Sequence, residues 1–209
     1  MGIITLPSFG SDPATVNAAN LDGKVDPLAT EFNGGIDNDN IASDAAISTS
    51  KIDLTAVTLT GTITFGENTD LKLDAALSAD GKFCGITEAG TAGATLAFGD
   101  ICYLAAADSR WELADADADS TSGAVKLGIC VLAAAADASA TTMLLWGKIR
   151  ADAVFPTFTI SAPVYVGTTA GDVQVAQPSG TDDVIRIVGH ANTADELFFH
   201  PSPDYITHT

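Results

Sequence analysis

The feature that most constrains this sequence is an internal similarity between two series of short apolar runs. Each series has four runs in the same order, and Tyr103 and Tyr165 occupy matching places in the two. Short runs rich in β-branched and aromatic residues, bounded by turn residues, are typical of strands. Two copies of one four-strand order predict a duplicated β barrel or sandwich closed by both halves. The matched runs are Asp100–Leu104 with Ala162–Val166, Trp111–Ala114 with Val173–Ala176, Val125–Ile129 with Ile185–Gly189, and Met143–Trp146 with Leu197–His200.

The composition agrees with a mainly β protein that has a substantial core. The chain has 209 residues, of which 46% are hydrophobic and 17% are charged, and this balance argues against global disorder. Small and β-branched residues suit short strands and tight turns better than long amphipathic helices. We therefore expect a duplicated β domain over residues 81–209, preceded by a β connector over 56–80 and an N-terminal segment over 1–55.

The charge balance excludes several partners. The chain carries 27 acidic and 9 basic residues, a net charge of -18. Such a surface repels phosphate backbones and anionic lipid, and the sequence has no Lys/Arg cluster that would offset the repulsion. We expect binding neither to nucleic acid nor to membranes.

The N-terminal segment, residues 1–55, has a pattern of its own. Its first apolar positions follow the i, i+4, i+7, i+11 spacing of one helix face, and Gly34 and Gly35 would end that helix. A weaker second stripe follows. So few large side chains cannot form a core within one chain, which predicts that partner chains bury them, unless the segment is a flexible leader that orders on docking. The predicted attachment and oligomerisation residues are Leu21, Val25, Leu28, Phe32, Ile36, Ile41, Ile47 and Ile52.

The connector, residues 56–80, begins with a clear alternation. From Ala56 to Phe65 apolar residues alternate with threonine at a period of two, which is typical of a half-buried strand. We therefore expect a strand over this stretch.

Part of the N-terminal segment resembles a leader common in phage virion proteins. The carrying residues are Phe32–Ile41, which read FNGGIDNDNI, and Ala45–Ile52, which read AAISTSKI. The resemblance covers about the first quarter of the chain. It implies a homotrimeric component of a virion assembled in the host cytoplasm, with other virion proteins, a major capsid or tail protein, as partners and the host surface as a further one.

Three classes of function compete for such a chain. A capsid decoration protein or short head fibre, attached through the N-terminal segment, is the leading expectation because the chain is short. A tail fibre or receptor-binding module that contacts the host surface is the alternative, and exposed aromatic residues at its distal tip would favour it. A small enzyme ranks last because the sequence contains no nucleophile, phosphate-loop or dinucleotide motif. We expect no catalytic residues and no cofactor.

The acidic stretch Asp115–Ser120 is the strongest candidate for chemistry. Carboxylates at Asp115, Asp117 and Asp119 match alternate ligand positions of a calcium loop. Ser120 stands where that loop needs glycine, however, and Lys126 stands where it needs a bidentate glutamate. A solvated acidic loop between two strands is the better interpretation.

The remaining candidates are histidines, cysteines and aromatics. Polar surface or interface roles are favoured over a metal site for the histidines, and buried free thiols are expected for the cysteines because each lies in an apolar run without CxxC spacing. Most aromatics are expected in the core; Trp111 alone is placed for a sugar platform, and core is favoured there too. The residues concerned are His190, His200, His208, Cys84, Cys102, Cys130, Trp111, Trp146, Phe155, Phe158, Tyr165, Phe198 and Phe199.

Overall fold

The computed structural model describes residues 60–209 of the chain. The chain divides into two units, Met1–Phe65 and Gly66–Thr209, and the architecture below is that of the second.

The second unit is mainly β, as the composition and the apolar runs predict. In the part of the chain that the structure describes there are eleven strands and one short helix. The elements are β1 (Lys82–Thr91), β2 (Ile101–Leu104), β3 (Trp111–Leu113), α1 (Asp119–Ser122), β4 (Leu127–Leu132), β5 (Ala140–Arg150), β6 (Pro163–Val166), β7 (Val173–Gln174), β8 (Val184–Ile185), β9 (Ile187–Ala191), β10 (Glu196–Phe199) and β11 (Ile206–Thr207).

Nine of these strands form one curled antiparallel sheet. Its order is β3-β2-β4-β5-β10-β9-β6-β7, and β1 pairs with β5 outside that series. Strands β8 and β11 form a separate pair. The order read outward from the centre is the same in both directions: β5, β4, β2, β3 on one side and β10, β9, β6, β7 on the other. Each matched pair of sequence runs therefore occupies equivalent places in the two halves, which meet at the β5–β10 pairing.

Backbone hydrogen bonds join the two ends of this sheet. The amide of Ala116, just after β3, donates to the carbonyl of Gly167 at 2.8 Å, and the amide of Gly171 donates to Ala114 at 2.8 Å. The amide of Ile101 also donates to Gly171, at 2.8 Å. These bonds satisfy backbone groups that would otherwise form open sheet edges.

The sheet has apolar residues buried on both faces near its centre. A larger core fills the inner side of the curl, and a smaller core lies on the outer side of β2, β4 and the first half of β5. Neighbours along a strand point to opposite faces, so Ile129 enters the larger core and Cys130 the smaller one. Burial on both faces explains why these runs are continuously apolar rather than alternating.

The predicted strand over residues 56–65 is not found in its described part. Residues 60–65 are exposed and form no strand, and 56–59 lie outside the described residues. An alternating pattern makes a strand only where a neighbouring strand accepts its hydrogen bonds, and none pairs with residues 60–65 in the described chain. The first strand begins at Lys82 instead.

Candidate functional site

The eight predicted attachment residues, Leu21, Val25, Leu28, Phe32, Ile36, Ile41, Ile47 and Ile52, lie outside the described residues. The described part of the chain offers a different candidate, the outer face of β5 and β10.

A row of apolar and aromatic side chains crosses this outer face. Ile86 is 57% exposed and pairs with Trp146, which is 41% exposed. Trp146 meets Phe198 edge to face, with ring centroids 5.1 Å apart. Phe198 in turn lies 5.2 Å from the His200 ring. We call Ile86, Trp146, Phe198, His200 and His190 the aromatic strip; it runs over β1, β5, β10 and the neighbouring β9.

A β-bulge turns Trp146 outward. The pairing of β1 with β5 skips Leu145, since Ile86 pairs with Trp146 and the next residue, Thr87, pairs with Leu144. One extra residue reverses which face each following side chain occupies. Beyond the bulge, Trp146 and Lys148 therefore face outward and Ile149 enters the larger core.

The two histidines at the end of the strip form a hydrogen-bonded pair. His190 Nδ1 lies 3.0 Å from His200 Nε2. The rings are nearly parallel, 9° apart, with centroids separated by 5.1 Å. A neutral imidazole has one donor and one acceptor nitrogen, so one of the two rings donates this hydrogen bond and the other accepts it. Burial, and then the neighbouring His190, lower the pKa of His200.

His208 lies apart from this pair, beside β8. Its amide donates to the carbonyl of Asp183, and its carbonyl accepts from the amide of Asp182. Its Nδ1 is buried and has no hydrogen-bond partner in the structure. Among the described residues no three His, Cys, Asp or Glu side chains are grouped to hold a metal ion.

A second feature of the outer face is a pair of charged side chains beside the aromatic strip, Glu196 and Lys148, which we call the clasp. Glu196 is 2% exposed and accepts hydrogen bonds from the Leu77 amide and from Asn192 Nδ2, each at 2.8 Å. Lys148 Nζ lies 3.6 Å from Glu196 Oε1. The same ammonium donates to the carbonyls of Asp74 and Ala75, at 2.7 and 2.8 Å. The clasp thus holds residues 74–77 against β5 and β10.

The acidic stretch is a partly exposed loop that leads into the short helix α1, with Ala116 buried. Asp117 and Asp119 are exposed, and the amide of Asp117 donates to Asp115 Oδ1 at 2.9 Å. Partial desolvation, then the charges of Asp115 and Asp183, raise the pKa of Asp117. The geometry is that of a solvated acidic loop whose carboxylates repel one another.

The cysteines differ in burial. Cys102 and Cys130 are buried and free, as expected from their apolar runs, but Cys84 is only half-buried because β1 has little covering it. Burial above all raises the pKa of both the Cys102 and the Cys130 thiols.

The expectation that the strand aromatics are core residues holds for four of the seven. Trp111 is 1% exposed, which confirms its core placement. The expectation is wrong for Trp146, which is exposed, and for Tyr165 and Phe198, which are half-buried, because the smaller core ends before it reaches these outer positions. The other buried members are Phe155, Phe158 and Phe199.

Arg186 is a buried residue that the sequence analysis missed. Its guanidinium donates to the carbonyls of Ser122, Gly123, Val125 and Ser202. Burial lowers its pKa from the usual value. The sequence pattern that could have predicted this role is a single arginine within the apolar run 184–188, because a buried cation needs hydrogen-bond acceptors.

No family model and no curated protein matches this chain. None of the helices in residues 60–209 is long and apolar enough to cross a membrane.

Proposed function

We propose that this protein is a structural component of a bacteriophage particle, a capsid decoration protein or short head fibre. In this proposal it is a homotrimer that attaches through its N-terminal segment to a major capsid or tail protein. The curled sheet is a duplicated β barrel that projects from the particle. The resemblance of Phe32–Ile41 to virion leaders is the source of the proposal.

The observation that best supports this function is the anchoring of the connector to the curled sheet and its cores, which we call the body. Residues 74–77 are held by a buried glutamate and a largely buried lysine on two paired strands, so the chain approaches the body at a fixed place. A projecting module needs a defined junction with its attachment segment, and these contacts provide one while they are closed. The joined ends of the sheet and the net charge of -18 also suit an exposed module that must not aggregate.

Solution mass tests this proposal. Light scattering should give three times the monomer mass of 21.3 kDa for the full chain and a monomer for a chain lacking residues 1–55. A truncated chain that remains trimeric would place the assembly contacts in the body, which contradicts the role given to the N-terminal segment. A stable monomeric full chain would contradict the trimer.

The aromatic strip favours a second candidate, a tail fibre or receptor-binding module on the host surface. Exposed tryptophan on rigid strands is a common anchor of binding surfaces. Replacing Trp146 with alanine should weaken binding of the purified protein to host cell envelopes by about tenfold or more. The matched control is Ile160→Ala, which removes another exposed apolar side chain, 67% exposed, outside the strip. Equal binding by both variants would count against this candidate.

A further inference from the structure

The connector meets the body through one buried side chain. Residues 66–76 are exposed apart from the half-buried Leu73, and Leu77 is 6% exposed. Residues 78–80 are exposed again before β1 begins. Since apolar burial in this stretch is confined to Leu77, polar contacts must supply much of what holds it in place.

The clasp forms hydrogen bonds with main-chain atoms of the connector. Glu196 accepts from the Leu77 amide, and Lys148 donates to the carbonyls of Asp74 and Ala75. Arg150 Nη1 reaches the carbonyl of Leu77 more weakly, at 3.5 Å. Bonds from charged groups to backbone atoms are stronger than neutral ones, and here they fix an extended chain by its backbone.

Opening the clasp leaves its charged groups paired with each other. When residues 74–77 depart, Glu196 keeps the hydrogen bond from Asn192 Nδ2 and the contact with Lys148 Nζ at 3.6 Å. No buried charge is then stranded inside the protein, which is the usual reason that breaking a buried pair is so costly. The body's strands keep their own pairing, because Gly81 begins the β1–β5 ladder with a bond to the Arg150 carbonyl at 3.0 Å.

We propose that residues 74–77, Glu196 and Lys148 form a strap that opens and closes as a local unit and so sets the length of the connector. Closed, the strap ends the free connector at Asp74. Open, it adds residues 74–79, which fully extended span at most about 22 Å. The hinge is the exposed pair Ser78 and Ala79, because Asp80 Oδ1 accepts a hydrogen bond from the Asp152 amide at 2.8 Å and stays with the body. This device does not depend on trimerisation or on attachment to a particle.

Hydrogen exchange of the full chain tests the strap. Glu196→Ala should speed exchange of the Leu77 amide by about tenfold to a hundredfold, the expected effect of losing a hydrogen bond to a charged group. In the unmodified chain the Leu77 amide should exchange with a lower opening free energy, and with a weaker urea dependence, than the Leu144 amide in the larger core. Lys148→Met, which keeps the aliphatic stem, should have the same local effect. The matched control is Glu88→Gln, which removes the charge of a partly exposed carboxylate on β1 that pairs with Lys126 and should leave Leu77 exchange unchanged.

Two outcomes would overturn the proposal. In one, Leu77 exchange stays at the wild-type rate in both clasp variants, so the polar contacts do not hold the strap. In the other, Leu77 and Leu144 of the unmodified chain exchange with the same opening free energy and the same urea dependence, so the segment opens only when the whole body unfolds. If Glu196→Ala fails to fold, Lys148→Met alone tests the first outcome. A monomeric full chain would contradict the proposed trimer but would leave these results intact.

Discussion

At the residue scale, burial separates the cysteines into two kinds. Cys102 and Cys130 have no exposed surface and lie in the smaller core, where desolvation raises the pKa of each thiol. Cys84 lies on β1 and is half-buried. The thiolate is the form that reacts with thiol reagents. Burial and the raised pKa therefore both protect Cys102 and Cys130 from such reagents.

We therefore expect iodoacetamide at pH 8 to modify Cys84 in the native protein. Cys102 and Cys130 should react only after denaturant is added, and peptide mass spectrometry identifies the modified residue. In the control variant Cys84→Ser the native protein should take up almost no reagent. Native modification of Cys102 at a rate similar to that of Cys84 would show that the smaller core is open to solvent.

The residue scale also shows where sequence reasoning fails. The burial of Cys102 could be predicted because its neighbours along the chain are apolar. The roles of Glu196 and Arg186 could not, because their partners are distant in sequence: Leu77 is 119 residues from Glu196 and Ser122 is 64 residues from Arg186. A charged side chain within an apolar strand predicts that it has hydrogen-bond or ionic partners. The sequence does not show which residues those partners are, because the fold brings them together.

At the scale of the elements, the internal similarity predicted most of the sheet. The four matched runs contain strands that occupy equivalent places around the β5–β10 pairing. These runs can be recognised in the sequence by their apolar residues, because side chains from both halves fill the larger core. The repeated order of the runs predicted that the two halves are equivalent. The pairing order, in which β2 lies between β3 and β4, was not predicted.

The irregular parts of the sheet were not accessible in this way. Strand β5 extends from Ala140 to Arg150, well beyond the run Met143–Trp146, and the bulge shifts the register of its pairing with β1. Gly147 has a φ of +139°, and a Cβ there would lie 2.2 Å from the Cys84 carbonyl oxygen. This close approach of β1 to β5 needs glycine, and no local pattern encodes it. The exposure of Trp146, and with it the aromatic strip, follows from the same bulge.

At the scale of the whole molecule, the two halves of the sheet are joined twice. They pair at β5–β10, and the opposite ends meet through the bonds between Gly171 and Ala114 and between Ala116 and Gly167. The larger core also takes residues from both halves, including Ile129 from the first and Phe199 from the second. Neither half can lose its packing without exposing apolar surface of the other, so the second unit should unfold in a single transition.

A core substitution in one half should therefore lower the stability reported by a probe in the other. Phe199→Ala removes a fully buried side chain of the second half, at an expected cost of about 3–5 kcal/mol. Trp111 is buried in the first half, and Trp146→Phe makes it the sole tryptophan and hence the sole fluorescence probe. In that background, Phe199→Ala should shift the urea midpoint equally by Trp111 fluorescence and by circular dichroism. The exposed control Ile160→Ala should change stability by no more than about 0.5 kcal/mol. If the Trp111 midpoint stays in place while circular dichroism shows an earlier second transition, the halves fold independently, and the bonds that join the sheet's ends do not couple them.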